Sequence, residues 1–205
     1  MKTIIYILLA VFIAGMLPLN LIKANNYVRI VIEANDKTIT EGTLKQSSVI
    51  MADRLKDAGI AEFEINIEPD RIIVILARQF ANDTVKNLLI AKGRFEFRES
   101  DTQRLILEGK DIESMAAGKD SSENPFAAIQ FKKEAISVWA ESTRRNLNKT
   151  IAVVLDNRVI YDPVVREEIP NGSCVITGKF TAEELQYFAI LGNNGELPAD
   201  FRIIE

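Results

Sequence analysis

Residues 151–181 carry the densest alternation of apolar runs and turn signals in the chain. The continuously apolar run 151–155 is typical of a strand covered on both faces. Asp156-Asn157 follows as a two-residue turn whose side chains tolerate positive φ, so residues 158–161 are expected to return antiparallel. The pattern therefore predicts a β-hairpin at the start of this stretch.

The second part of the same stretch adds a third strand and a helix. Pro163 has no backbone N–H, so regular pairing should stop there or continue only at a sheet edge. A turn at Asn171-Gly172 leads into an apolar strand at 174–177, and Thr181 with Glu184 forms a capping box before a helix. We interpret the three strands as one sheet nucleus.

The N-terminal half predicts a second unit, in which strands and helices alternate. Its elements are a strand at 27–33, a helix from 43 to 59, strands at 61–67 and 71–76 joined by a short turn, a helix from 82 to 93 and a strand at 95–97. This βαββαβ order is that of the ferredoxin-like unit, a common scaffold that carries no function on its own.

The polar segment 100–123 separates the two units, with only residues 105–107 patterned as a strand. Beyond it come a strand at 126–131 and a helix at 133–146 that places Trp139 in the core, while a terminal strand at 201–204 fits either sheet. We therefore predict an α+β protein with a ferredoxin-like lobe at residues 25–100 and a second small α+β lobe at 101–205.

Residues 1–24 predict contact with a membrane. Residues 3–22 contain no charged side chain and just reach the length of about 20 residues that spans a bilayer. The more strongly apolar part, residues 4–17, also suits the core of a signal peptide. Two outcomes stay open: an uncleaved single-pass anchor formed by residues 1–22, which is slightly favoured, or a cleaved signal peptide.

Composition narrows the chemistry available to the protein. Among 205 residues there is no histidine and a single cysteine, Cys174, so His-dependent triads, His-ligated metals and an internal disulfide are excluded. Cys174 lies in a strand pattern and is interpreted as a small buried hydrophobe. The net charge of −4 argues against nucleic acid as a partner. We predict no catalytic residue, no cofactor and no metal.

Three segments resemble a known family. VVLDNRVIYDPVV, PNGSCVITGKFTAEE and the final Gly195-Glu196-Leu197-Pro198-Ala199 are similar to the first large periplasmic domain of SecD and SecDF, membrane subunits that assist the secretory translocase. Upstream, MADRLKDAGIAEFEINIEPDRIIVIL and GRFEFRES extend the resemblance to about residues 44–204. It implies a role in protein export and partners among secretory translocase subunits.

Departures from the family shape this expectation. SecD proteins open their exported domain with a Leu-Asp-Leu-x-Gly-Gly type motif where this chain has Asn25-Asn26-Tyr27, and they continue into further transmembrane helices that hold ion-coupling acidic residues. We therefore expect an accessory module without its own ion-coupled motor. It would lie in the cell membrane with a periplasmic domain, or in the periplasm if residues 1–24 are cleaved.

Unfolded exported polypeptides are the expected ligand. A strand interrupted at Pro163 can leave an edge that binds an extended chain through main-chain hydrogen bonds, and the candidate contact residues are Tyr161, Val164, Val165 and Ile169. Two alternatives stay open: an exported structural or sensory domain that binds a small ligand or a neighbouring protein, and an exported hydrolase that uses a carboxylate pair.

Overall fold

A computed structural model describes residues 26–36 and 38–204, and these residues form eleven strands and four α-helices. The strands are β1 (Tyr27–Ala34), β2 (Phe63–Glu68), β3 (Arg71–Ala77), β4 (Phe95–Glu99), β5 (Leu105–Glu108), β6 (Ile112–Lys119), β7 (Pro125–Phe131), β8 (Ile151–Leu155), β9 (Arg158–Tyr161), β10 (Ser173–Ile176) and β11 (Phe201–Ile203). The helices are α1 (Glu41–Asp57), α2 (Asp83–Ile90), α3 (Lys133–Arg145) and α4 (Ala182–Asn194). The predicted α+β class is confirmed.

Within residues 26–36 and 38–204, none of the helices is both long enough and apolar enough to cross a membrane. The predicted anchor or signal segment, residues 1–24, lies outside the described part of the chain.

The first sheet is antiparallel, with strand order β11-β1-β3-β2. The predicted hairpin is confirmed, since β2 pairs with β3 from Phe63 opposite Leu76 to Glu68 opposite Arg71. The elements also follow one another in the predicted βαββαβ order. However, β4 is not part of this sheet, and the C-terminal β11 pairs with β1 instead. The end of the chain thus completes the sheet begun by its first strand.

Two further sheets build the rest of the molecule, with strand orders β5-β4-β8-β9 and β10-β7-β6. All five residues of β8 are buried, as its unbroken apolar run predicts. The prediction of one nucleus with three strands is wrong, because β10 pairs with β7 while β8 and β9 lie in the other sheet. Strand β6, which pairs with β7 along its length, was not predicted from the sequence.

Aromatic side chains join these two sheets. Phe97 of β4 and Phe131 of β7 meet edge to face with ring centroids 4.8 Å apart, and Trp139 of α3 packs against both. On one side the sheets are connected directly, because a single 3₁₀ turn, Gly109–Asp111, links β5 to β6. The predicted core position of Trp139 is confirmed, since its side chain is buried.

The first sheet is tied to the rest by a buried guanidinium. Arg54 of α1 donates from Nη1 to the carbonyl oxygens of Leu88 (2.9 Å) and Ala91 (2.7 Å), and from Nη2 to those of Lys92 (3.3 Å) and Gly195 (2.7 Å). Burial lowers the pKa of Arg54 to about 10, so the side chain stays charged at neutral pH. One side chain therefore holds both segments through which the chain passes between the sheets.

Replacing Arg54 with methionine should remove four hydrogen bonds to carbonyl oxygens while keeping an apolar stem of similar length. We expect Arg54→Met to lower the free energy of unfolding by about 2–4 kcal/mol, measured by urea denaturation. Arg144→Met, at an exposed arginine of α3, is the matched control and should change it by less than about 0.5 kcal/mol. Equal losses in both variants would contradict this role for Arg54.

Candidate functional site

The first free backbone edge belongs to β9. Asp156 and Asn157 have φ of 50° and 65°, the conformation of a type I′ turn, so Leu155 and Arg158 close the hairpin as a hydrogen-bonded pair. Hydrogen-bonded and non-bonded pairs alternate along an antiparallel ladder. The next pair, Val154 and Val159, is therefore non-bonded, and the backbone N–H and C=O of Val159 face away from β8.

The edge continues past the end of β9. A bulge at Ile160 shifts the register, and beyond it the Ile151 N–H donates to the Pro163 oxygen at 3.3 Å. The Val165 N–H donates to the Lys149 oxygen at 2.8 Å. These two bonds flank the bridge between Thr150 and Val164, so the N–H and C=O of Val164 also point outward.

The missing N–H of Pro163 therefore lies on the inner side of this edge. Its carbonyl faces Ile151, and in a strand the N–H and C=O of one residue point the same way. Pro163 thus weakens pairing with β8 and leaves the outward-facing groups of Val164 untouched. The predicted interruption is present, but it acts on the side away from solvent.

A second free edge belongs to β10. Phe131 N–H donates to the Gly172 oxygen at 2.9 Å, which makes Gly172 and then Cys174 the residues whose backbone faces β7. Ser173 and Val175 consequently face outward. The Ser173 oxygen accepts from Trp139 Nε1 at 2.9 Å, whereas Val175 has no such bond to another element of the described chain.

The three residues with free outward-facing backbone groups also have exposed side chains. Val159, Val164 and Val175 are 60%, 41% and 48% exposed, and we call them the edge valines. Each combines an exposed apolar side chain with outward-facing backbone N–H and C=O groups. That combination is the chemistry by which an edge strand accepts another extended chain.

The two edges approach each other at one point. Tyr161, the last residue of β9, has its hydroxyl 3.2 Å from Thr177 Oγ1, just after β10. Behind this contact the Tyr161 ring packs on Phe180 (6.4 Å between centroids), which packs on Phe188 of α4 (5.7 Å). We call the space between β9 and β10 the opening. Its inner wall is aromatic.

The four residues predicted as polypeptide contacts have different positions. Val164 is exposed at the edge, and Tyr161 and Ile169 are half-buried against the core. Val165 is 9% exposed and packs in the core between the two sheets, so its side chain is not presented at the edge. Sequence reasoning missed Val159 and Val175, although both lie in alternating strand patterns that offered the signal.

Two clefts lie on the surface of this part of the molecule. One, of about 650 Å³, is lined by Asp120, Asn124, Pro125, Phe126, Val175, Thr177 and Gly178. The other, of about 190 Å³, lies between β5 and α3. Each is lined by only one carboxylate, Asp120 or Glu141, whereas a glycosidase or similar hydrolase needs two.

Glu99 is a nearly buried carboxylate, and it is fully partnered. It accepts hydrogen bonds from Arg104, Thr102 (2.6 Å), Asn146 (3.1 Å) and Arg145 (3.3 Å). The Arg104 bond, followed by the Thr102 bond, lowers the pKa of Glu99 to about 2. A general acid at neutral pH needs the opposite shift, so this cluster is structural.

Cys174 is confirmed as a buried hydrophobe, because its side chain lies in the core between the two sheets, and this desolvation raises the pKa of its thiol to about 12. Elsewhere in residues 26–36 and 38–204, no three His, Cys, Asp or Glu side chains come together in a way that could hold a metal ion. The arrangement offers binding chemistry at the edge valines.

The family described as the SecDF P1 head subdomain matches residues 92–199, just over half of the chain. The chain belongs to the SecDF P1 head family. The match contains β9, β10, α4 and all three edge valines, so the opening is a feature of the head.

The similarity to known proteins extends beyond the residues of the head. The protein translocase subunit SecD of Dictyoglomus turgidum is 30% identical over 168 residues, which cover 82% of this chain and 42% of that protein. A crystal structure of SecDF in the super-membrane-facing form has a TM-score of 0.77 at 26% identity, over 88% of this chain and 30% of that one. The chain thus spans less than half the length of these relatives.

A second solved structure shares the fold. It is described as the structure and function of a membrane component SecDF that enhances protein export, and it has a TM-score of 0.70 at 24% identity. The alignment covers 87% of this chain and 98% of that one, so the fold of the described residues is found there almost in full.

The hydrogen bonds to Glu99 predict how the stability of the head changes at acid pH. Because its pKa in the folded state lies below the usual value of 4.5, the stabilisation is complete above about pH 4.5 and is lost as pH falls towards 2. We expect Glu99→Gln to lower the free energy of unfolding at pH 7 by about 2 kcal/mol. This figure allows for solvent screening of the ion pairs, because both arginines are half exposed. This difference should shrink between pH 4.5 and 2.

Denaturant unfolding of both proteins across that pH range is the measurement, with Glu113→Gln at an exposed position as control. A difference between the parent chain and Glu99→Gln that stays constant down to pH 2 would contradict the assignment.

Proposed function

We propose that this chain acts in protein export as a SecD-like accessory module that binds extended segments of unfolded exported polypeptides. The observation that carries the proposal is the set of edge valines, Val159, Val164 and Val175, each with an exposed side chain and an outward-facing backbone. Tyr161 and Ile169 support this surface from behind.

Main-chain pairing suits such a ligand. Hydrogen bonds to backbone N–H and C=O groups are available from any extended polypeptide and carry little side-chain selectivity. A folded client has most of its backbone groups paired and offers few of them. Binding by the edge valines would therefore distinguish unfolded from folded chains without recognising a particular sequence.

The interruptions in this edge limit its affinity. The bulge at Ile160 and the short lengths of β9 and β10 restrict each edge to a few consecutive hydrogen bonds. Bulges of this kind also protect exposed edges from uncontrolled association. Short pairing favours rapid release, which a module that hands polypeptides onward requires.

Relatives supply the cellular setting of the proposal. The similar SecD is a protein translocase subunit, and the similar SecDF is described as a membrane component that enhances protein export. We propose the periplasmic face of the membrane as the place of action, translocase subunits as neighbours, and residues 1–22 as the membrane segment. The binding needs neither a cofactor nor catalysis, and we propose that the chain is not an enzyme.

The proposal also includes a division of the chain into two lobes. We propose a ferredoxin-like lobe made of β1, β2, β3, α1, α2 and β11. The strand order β11-β1-β3-β2 supports this proposal, because β11 would then take the position of the fourth strand of that unit. The remaining elements form the head lobe, which presents the edge valines.

The test is a titration of the full chain with an unfolded secretory protein and with its folded form, followed by fluorescence anisotropy. We expect binding of the unfolded form only. Val159→Lys and Val164→Lys should each weaken it about tenfold, or about 1.4 kcal/mol, because lysine at an edge opposes strand addition.

Val49→Lys is the matched control, since Val49 is an exposed valine on α1 far from both edges in the fold. Its binding should equal that of the parent chain. Equal affinity for folded and unfolded forms, or an equal loss in all three variants, would refute capture at the edge valines.

A further inference from the structure

We infer that a captured segment enters the opening and pairs with β9 and β10 at the same time, so that two separate sheets become one. This inference rests on the proposed function and adds the position of the ligand and the pattern of residues it must carry. The resulting strand order would be β5-β4-β8-β9-segment-β10-β7-β6.

The way in which the two sheets are connected leaves the outer edges of β9 and β10 unpaired and available to a ligand. At the other end of each sheet, β5 and β6 are joined by the turn Gly109–Asp111, and β6 also packs against α4. Around the shared core the strands thus follow one another from β9 through β5 and β6 to β10, and β10 and β9 are not paired, which leaves a gap in the hydrogen-bonded ladder between them. An extended chain in that gap would find outward-facing backbone groups on both sides.

The Tyr161–Thr177 contact is the point at which β9 and β10 meet. A strand inserted between two others separates them by two strand spacings, about 9.5 Å. The Tyr161 hydroxyl lies 3.2 Å from Thr177 Oγ1, so the two strands are joined there by side chains and not by backbone pairing. This hydrogen bond would close the opening in the free protein and be released when a segment enters.

The walls of the opening predict the ligand pattern. Side chains of an inserted strand alternate between the inner face, lined by Tyr161, Phe180 and Phe188, and the outer face, which carries Val159 and Val164 and is open to solvent. Apolar residues at every second position fit the aromatic wall, and polar residues fit the outside. The preferred ligand class is therefore a strand-forming segment of alternating pattern, rather than a uniformly apolar or helix-forming one.

The test uses a capped eight-residue peptide of alternating valine and threonine with a lysine at each end, titrated against the full chain. Two further versions carry N-methyl groups on the valines only or on the threonines only. In an extended chain successive N–H groups point to opposite sides, so each version removes the donors towards one edge. We expect both versions to bind at least about tenfold more weakly, since several hydrogen bonds are lost in each.

Weakening by only one version would show pairing with a single edge and overturn the inference while leaving capture intact. Weakening by neither would exclude main-chain pairing altogether. If the unmodified peptide does not bind while an unfolded secretory protein does, the alternating pattern is wrong. If neither ligand binds, the proposed function fails as well.

Two variants give an independent readout with the same peptide. Val175→Lys, on β10, should weaken binding as strongly as Val159→Lys on β9, with Val49→Lys again unchanged. Tyr161→Phe keeps the aromatic wall and removes the hydroxyl that closes the opening, so it should strengthen binding a few-fold. An unaffected Val175→Lys, or weaker binding by Tyr161→Phe, would contradict insertion between the edges.

Discussion

Contact among three aromatic rings, Phe97, Phe131 and Trp139, is the interaction on which the geometry of the head depends. The ring centroids lie between 4.8 and 5.7 Å apart, and each ring comes from a different element. The cluster fixes one sheet against the other, and the Trp139 indole also binds the Ser173 oxygen, which occupies one outward-facing group of β10. The next outward-facing residue, Val175, remains available. The same side chain thus packs in the core and occupies one outward-facing group of β10.

The path of the chain explains why the head can be held firmly while its edges stay open. The chain enters the head after α2, leaves it after α4, and returns as β11 to the sheet in which it started. Arg54 binds carbonyl oxygens of both crossing segments, and the ion pair of Arg94 with Glu196, 2.7 Å, joins them again near the surface. The contacts that hold the head to the first sheet therefore lie at the two connecting segments, and none of these contacts uses β9 or β10.

Local patterns in the sequence predicted most elements, because each depends on neighbouring residues. The hairpin at Glu68-Pro69-Asp70, the positive-φ turn at Asp156-Asn157 and the Thr181–Glu184 capping box are all found. Sheet membership was not predictable in this way. Pairing of β4 with β8, of β10 with β7 and of β11 with β1 joins residues distant in sequence, and short apolar strands carry no local sign of their partner.

Two features of the head could not be predicted from the sequence, each for a specific physical reason. Strand β6, with the sequence IESMAAGK, was missed because its outward-facing residues are small or polar, so apolar alternation is weak. The burial of Val165 could not be predicted, because the bulge at Ile160 that sets its orientation has no sign in the sequence. Past the bulge, Val164 faces out and Val165 faces the core. One inserted residue thus decided which valine meets solvent.

Amide hydrogen exchange of the full chain, with and without an unfolded secretory protein, tests the central claim most directly. Free edge amides exchange quickly, whereas an amide that donates to a bound strand is protected. We predict that the N–H groups of Val159, Val164 and Val175 gain protection together on binding, while those of the first sheet do not change. Binding that leaves these three amides unprotected, or that protects residues elsewhere, would contradict the account.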